Sequence, residues 1–346
     1  MNITIAIADA NRDYLERLSE VLREYEDLTV SVFTTGEKLQ EALENKRFDI
    51  VLFDPDISSQ KLAFSNAKLS VCLYSDEAQN KEMYADCEKV VKYQRISSIY
   101  KDIINAFADK AGYGGDFDNS QNTRIIAVYS PIGGSGKTTV ALAIASKMAT
   151  MGKRVLFLNT EQLNSTVCVN PTEGEGITGL IEATAENVNF ELKLKGNTKQ
   201  GIQGIDYVEG FERIVDYNSV SAEEISAVLN KIKRCGICDA VVVDMGSLID
   251  GMASAILGIA DSIVIVEKPG ELPSAKMDLF MQQALVVEHR GKMLKVANFA
   301  DSNAKFSQEL DVPSIGTVHN YGNYPLKNML QNICAQGEIR VDKLVG

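Results

Sequence analysis

A chain of 346 residues, 45% hydrophobic, is long enough for two or three domains that each bury a core of their own. Its 35 basic and 47 acidic side chains leave a net charge of −12, split evenly: residues 1–110 hold 14 basic and 20 acidic groups and the remaining 236 hold 21 and 27, so neither part has the basic excess of a nucleic-acid binder. The six cysteines are scattered apart from Cys235-x-x-Cys238, and with only His289 and His319 beside them they read as thiols packed in a reducing compartment rather than as a zinc site.

The N-terminal run MNITIAIADANRD has no basic segment and meets an acid at Asp9, which argues against a secretory signal. No apolar run reaches 18 residues, the nearest (252–266) being broken by Asp261, so no transmembrane segment is predicted and a soluble cytoplasmic protein is expected. Residues 3–8 read as a strand ending at Asp9, and residues 13–25 place Leu15, Leu18, Val21 and Leu22 on one helical face. Strands follow at 28–33, 49–53, 69–74 and 89–93, with helices at 37–45 and 96–108. This alternation predicts a parallel sheet covered on both faces, with functional groups at the carboxyl ends of its strands. There the chain carries Asp9, Asp54, Ser75 and Lys92.

Those four positions resemble the site of a response-regulator receiver domain, which implies a receiver-like (flavodoxin-like) fold over residues 1–110 with Asp54 as phosphoryl acceptor. Two positions depart from that family. Its second Mg²⁺-binding acid is Ala10 here, and the proline after the lysine is Tyr93. Loss of one carboxylate weakens metal binding and with it phosphoryl transfer, so the domain is expected to serve as a docking or dimerising surface, with an active phosphoswitch as the sharper alternative. Residues 111–123, AGYGGDFDNSQNT, have the composition of a flexible linker.

The second domain, 124–346, opens on the apolar run 125–128, the turn SPIGGSGKTT (130–139) and a helical run at 140–148. Strand, glycine-rich turn and helix form a phosphate cradle. Gly133, Gly134 and Gly136 let the backbone wrap an anion, and Ser135 sits among them. Lys137 supplies charge to the β- and γ-phosphates, Thr138 offers Mg²⁺ a hydroxyl, and Thr139 completes the loop. The spacing is a variant, because Pro131 stands where the common loop has its first glycine. Further strands are predicted at 154–158, 238–243, 262–266, 295–297 and 313–318, with helices opening at 176 and spanning 222–232. Asp244, at the tip of an apolar strand, is the acid that would order Mg²⁺.

GGSGKTT, then Asn159-Thr160-Glu161, then a strand ending Asp244-Met245-Gly246 resembles the ParA/MinD ATPases with a deviant Walker motif. The receiver-like partner domain narrows the resemblance to the TadZ/CpaE subfamily. The implied architecture is α/β, with two doubly wound parallel-sheet domains. The resemblance implies ATP and Mg²⁺ as cofactors, Lys137, Glu161 and Asp244 as the catalytic group, Thr138 and Asp244 at the metal, and Asn298 at adenine. It also implies a homodimer that localises assembly of a Flp/Tad-type pilus with other pilus-assembly or polar-landmark proteins, at a cell pole or the inner face of the membrane. Ile132 stands where the family carries a lysine that reaches the partner's phosphates, and Asn159 replaces an acid, so binding without fast hydrolysis is expected. Two other readings are a tyrosine autokinase using Tyr321 and Tyr324 and a DNA-partition ATPase; the net charge opposes the second.

Overall fold

The computed structural model describes residues 2–25, 27–75, 81–111, 123–168, 176–186 and 188–345. The predicted linker at 111–123 lies outside the described residues except at its two ends. The chain forms two compact units, Met1–Gly114 with Asn187–Gly196, and Gly115–Glu186 with Asn197–Gly346.

The first unit holds five strands, β1 (Ile3–Ala8), β2 (Leu28–Phe33), β3 (Phe48–Phe53), β4 (Ala67–Tyr74) and β5 (Glu88–Val91), in the order β2-β1-β3-β4-β5. Every pairing is parallel. Alternation along β1 divides the core. Ile3, Ile5 and Ile7 face helices Arg12–Arg23 and Ile96–Ala111, while Ala6 and Ala8 face Leu39 and Leu43 of helix Gly36–Asn45. Asn11 and Thr35 start two of these helices by accepting the amides of Tyr14 and Lys38. Between β3 and β4 there is only the single 3₁₀ turn Pro55–Ile57, and the described part of the next connection holds the turn Lys81–Tyr84. Residues of helix Phe190–Asn197 complete this unit from far along the chain. Leu192 enters its core, Lys193 pairs with Asp109 at 3.0 Å and Lys195 with Asp27 at 3.4 Å.

The second unit holds eight strands, β6 (Arg124–Tyr129), β7 (Val155–Thr160), β8 (Lys199–Gln200), β9 (Asp206–Val208), β10 (Ala240–Met245), β11 (Ser262–Glu267), β12 (Met293–Ala300) and β13 (Ser314–His319). Their order is β13-β12-β11-β6-β10-β7-β9-β8, parallel except for the short β8 at one edge. Helix Lys137–Thr150 packs Val140, Ile144 and Met148 into the cluster that holds Ile126, Val128, Val242 and Val264. Helix Ala222–Cys235 opens with a reciprocal capping box between Ser221 and Glu224 and stops at Gly236, whose φ of 63° suits glycine. β6 lies between β10 and β11, while the next strand in sequence, β7, lies beyond β10. The chain therefore changes direction at β6, the point at which open α/β sheets bind ligands beyond the carboxyl ends of their strands.

Three strands run further than their apolar runs predict. β7 and β10 stay paired through Asn159↔Asp244 and Thr160↔Met245, so both polar residues are inside the sheet rather than after it. β12 spans Met293–Ala300 with a register shift between Ala297 and Ala300, so Asn298 lies within an irregular strand and Phe299 adopts a φ of 56°. No helix of the described residues is long and apolar enough to cross a membrane.

Candidate functional site

The glycine-rich turn lies between β6 and helix Lys137–Thr150, whose N-cap is Gly136 with no side-chain cap. Gly134 and Gly136 have φ of 63° and 84°. A Cβ on Gly136 would come within 2.1 Å of Asn298 Nδ2, and that amide donates 2.8 Å to the carbonyl of Ser135. Asn298 Oδ1 accepts the amide of Phe299 at 2.9 Å. Thus the buried Asn298 braces the turn from β12, and only glycine fits opposite it. Gly136→Ala is expected to destabilise the second unit by more than about 1 kcal/mol and to weaken phosphate binding, because the left-handed backbone and the clash add. Thermal denaturation beside nucleotide titration checks this; an unchanged melting temperature would contradict the crowding.

Three strand ends face this turn. Lys137, nearly buried, donates 2.9 Å to Ser247 Oγ and lies 3.9 Å from Glu161 Oε1. Thr138 Oγ1 donates 3.5 Å to Glu161 Oε2. Asp244, at the end of β10, is fully buried; Asn159 Nδ2 and Ser165 Oγ donate to its Oδ2 at 3.3 and 3.4 Å. Burial first, and the nearby Glu161 second, push the Asp244 carboxyl up to about 7. Burial also raises Glu161, against the pull of Lys137, Thr138 and Ser165. An aspartate at 159 would place two carboxylates side by side in this interior, whereas the amide of Asn159 donates to Asp244 and relieves it.

Two buried oxygens here have no hydrogen-bond partner, Asp244 Oδ1 and Ser135 Oγ. A buried carboxylate oxygen left unpaired beside a threonine hydroxyl and a lysine suits a divalent cation carried with a phosphate, so the residues present fit Mg²⁺. Ile132 is buried, and its amide donates 3.2 Å to Ser130 Oγ, so an apolar side chain occupies the position of the implied trans-acting lysine. Thr139 follows Thr138 within the first helical turn. Ser165 and Ser247 escaped the sequence reading. Ser165 belongs to no motif, and its place depends on the β7–β10 register. Ser247 lies three residues after Asp244, close enough for the strand-end motif to have flagged it.

In the first unit, Asp9, Asp54 and Lys92 meet at the carboxyl ends of the strands. Lys92 Nζ lies 2.7 Å from Asp9 Oδ2 and also bonds Asp54 Oδ2. All three side chains are buried, and the Tyr14 ring lies 5.0 Å from the ammonium. Burial would lower the lysine, but its bonds to Asp54 and Asp9 outweigh it and hold the ammonium above its ordinary value. Burial raises Asp9 above the usual carboxylate range against the pull of Lys92 and the Asn11 amide. Ser75 follows β4, half-buried, and Ala10 is exposed. No group of three or more His, Cys, Asp or Glu side chains suited to a metal occurs among the described residues. Of the two tyrosines considered as phosphoacceptors, Tyr321 donates 3.0 Å to the half-buried Glu338, and Tyr324 is 55% exposed.

Residues 1–108 match the family described as a TadZ-like receiver domain, and residues 123–284 match the family described as an AAA domain. The flagellum site-determining protein YlxH of Helicobacter pylori is 26% identical over 188 residues, which is 53% of this chain and 60% of that protein. The match thus spans less than two thirds of the length of that relative. Among solved structures, a ParA family ATPase from Chlorobium tepidum aligns at TM-score 0.52 and 15% identity, over 64% of this chain and 97% of that one. The septum site-determining protein MinD from Pyrococcus horikoshii, solved with Mg-ADP, aligns at TM-score 0.49 and 18% identity, over 65% of this chain and 98% of that one. The Chlorobium likeness shows the fold of the second unit.

Proposed function

We propose that this chain, whose residues 1–108 match a TadZ-like receiver domain and whose residues 123–284 match an AAA domain, is a TadZ/CpaE-like ATPase of the ParA/MinD type, acting as a nucleotide-gated scaffold that marks where a surface appendage of the Flp/Tad pilus type is assembled. The observation that carries this reading is the convergence of Lys137, Thr138, Glu161 and Asp244 around the turn, with Asp244 Oδ1 and Ser135 Oγ lacking partners. The similarity to a flagellum site-determining protein supports a role in placement.

The turn amides and Lys137 would bind the phosphates of ATP, and Thr138 and Asp244 would hold Mg²⁺, which would neutralise phosphate charge. Glu161 would orient water. Ile132 brings no charge, and the amide of Asn159 cannot act as a base. ATP then acts mainly as a clamp that favours a homodimer. The first unit supplies the address through a docking surface for a polar-landmark or pilus-assembly protein. Residues 1–110 and 124–346 are proposed as the two domains, with residues 187–196 of the second span lent to the first unit. The dimer forms only to the extent that ATP binds the associated state better than the free one.

Calorimetry with Mg²⁺ is expected to register both ATP and ADP, and Lys137→Ala is expected to weaken them about a hundredfold, the worth of two charge-assisted hydrogen bonds. Turnover without a partner is expected below about 1 s⁻¹, under the ordinary enzyme range. A faster rate would contradict the clamp. Sedimentation with ATP, ADP and no nucleotide tests the dimer; a mass that never changes would remove the nucleotide gate.

A further inference from the structure

We propose that Ser247 is a positioning residue that couples phosphate capture by Lys137 to movement of the exposed loop carrying Leu248 and Ile249. The inference rests on the nucleotide reading of this site and adds its output. Lys137 Nζ donates 2.9 Å to Ser247 Oγ, whereas Glu161 Oε1 is 3.9 Å away. On its other side, the Ser247 carbonyl accepts the hydroxyl of the buried Tyr129 at 3.1 Å. Tyr129 ends β6, the strand that delivers the glycine-rich turn.

The loop itself is short and anchored at both ends. It leaves β10 after the buried Met245 and ends at Asp250, which caps helix Gly251–Ile259 by accepting the Ala253 amide at 2.8 Å and also accepts the Tyr217 hydroxyl at 2.7 Å. Between those anchors lie Gly246, Ser247, Leu248 and Ile249. A Cβ at Gly246 would touch nothing within 4 Å, so the stretch has room to shift. Leu248 and Ile249 are 60% and 38% exposed, so a shift of the loop changes how much of their apolar surface meets water.

An ammonium has three hydrogens, and a phosphate beside it competes for them with charge-assisted bonds stronger than a neutral hydroxyl can offer. Phosphate therefore draws Lys137 from Ser247. The loop then keeps only its Tyr129 tether and resettles, and the two apolar side chains change their surroundings. An ammonium that turns toward the phosphates gives up the Ser247 bond, so the latch also opposes binding.

The chain contains no tryptophan, so Leu248→Trp is a clean fluorescent reporter in the full-length protein. Its emission maximum is expected to shift on saturation with Mg-ATP while calorimetry records binding. In the Ser247→Ala background the nucleotide-free spectrum should already match the bound one, further nucleotide should produce no shift, and ADP should bind about tenfold tighter, the worth of one hydrogen bond. Ser247→Thr, which keeps the hydroxyl, should restore the shift. Retention of the full shift in Ser247→Ala, or heat of binding with no shift in the reporter, overturns the latch while leaving nucleotide binding intact. Absence of heat in the unsubstituted protein overturns both the nucleotide reading and the latch built on it.

Discussion

Lys92→Met is expected to destabilise the first unit by about 3–5 kcal/mol, because it leaves two buried carboxylates facing one another without their shared cation. The lysine is 4% exposed and bonds both Asp9 and Asp54, and Asp9 is 1% exposed. Methionine matches the length of lysine, so lost packing contributes little and the penalty is electrostatic. Burial already raises the Asp9 carboxyl with Lys92 in place. Without the ammonium, one carboxyl must take up a proton near neutral pH or the unit must open. Hydrogen exchange of amides in β1 and β3 reports this unit apart from the second, and its urea midpoint should fall by more than about 1 M. Adding Asp9→Asn and Asp54→Asn to Lys92→Met should recover most of the loss, since all three charges are then gone. A single variant that exchanges like the parent would show that the ion triad does not hold the strand ends together. The same triad bears on signalling: Asp54 is already engaged by a buried lysine, and Ala10 supplies no second carboxylate for a metal.

How much of this was legible beforehand depended on whether a feature was local. The glycine-rich turn is contiguous, and its strand, glycines, lysine and helix are readable in one stretch. Asp244 was found because the run before it is so apolar, and Asp9, Asp54 and Lys92 because each ends a strand. What failed was non-local. The segment Phe190–Asn197, FELKLKGN, falls in a stretch where no element is predicted, its Phe190, Leu192 and Leu194 being spaced by two without helical period, yet it is a helix. Nothing local says that it completes the core of the first unit through Leu192. Asn159 looked like a lost charge. Its function as donor to Asp244 follows from the β7–β10 register, which one-dimensional pattern does not encode. Asn298 likewise lies beyond a bulge that the predicted strand 295–297 could not contain. Boundaries slipped where polar residues continue a ladder past its apolar run, because the parallel pairing satisfies the backbone there.

Asp244→Asn is expected to stabilise the nucleotide-free second unit at pH 8, by an amount of order 3–4 kcal/mol at most, while weakening the stabilisation given by Mg²⁺ and ATP. The sign follows from proton linkage. An unfolded aspartate has its carboxyl near 3.8, and in the folded unit burial and Glu161 bring Asp244 up to about 7. Between those values the folded state binds the extra proton, so stability falls as pH rises through this window and stays low above it. A raised carboxyl is thus the reverse of the usual salt-bridged case, and it costs the protein stability at neutral pH. Each pH unit of displacement corresponds to about 1.4 kcal/mol, and relaxation around the site reduces the sum. Asparagine has the same shape and no charge, so it removes the cost without opening a cavity. In EDTA, urea midpoints of the second unit should decline from pH 5 to pH 8 in the parent and stay nearly level in the variant. Adding Mg²⁺ with ATP should lift the parent at pH 8, since a cation at the unpaired Oδ1 replaces the missing proton, and should lift the variant much less. A parent whose stability is flat across that window would mean that Asp244 is better solvated than its burial indicates, and the argument that its charge awaits a metal would fall with it.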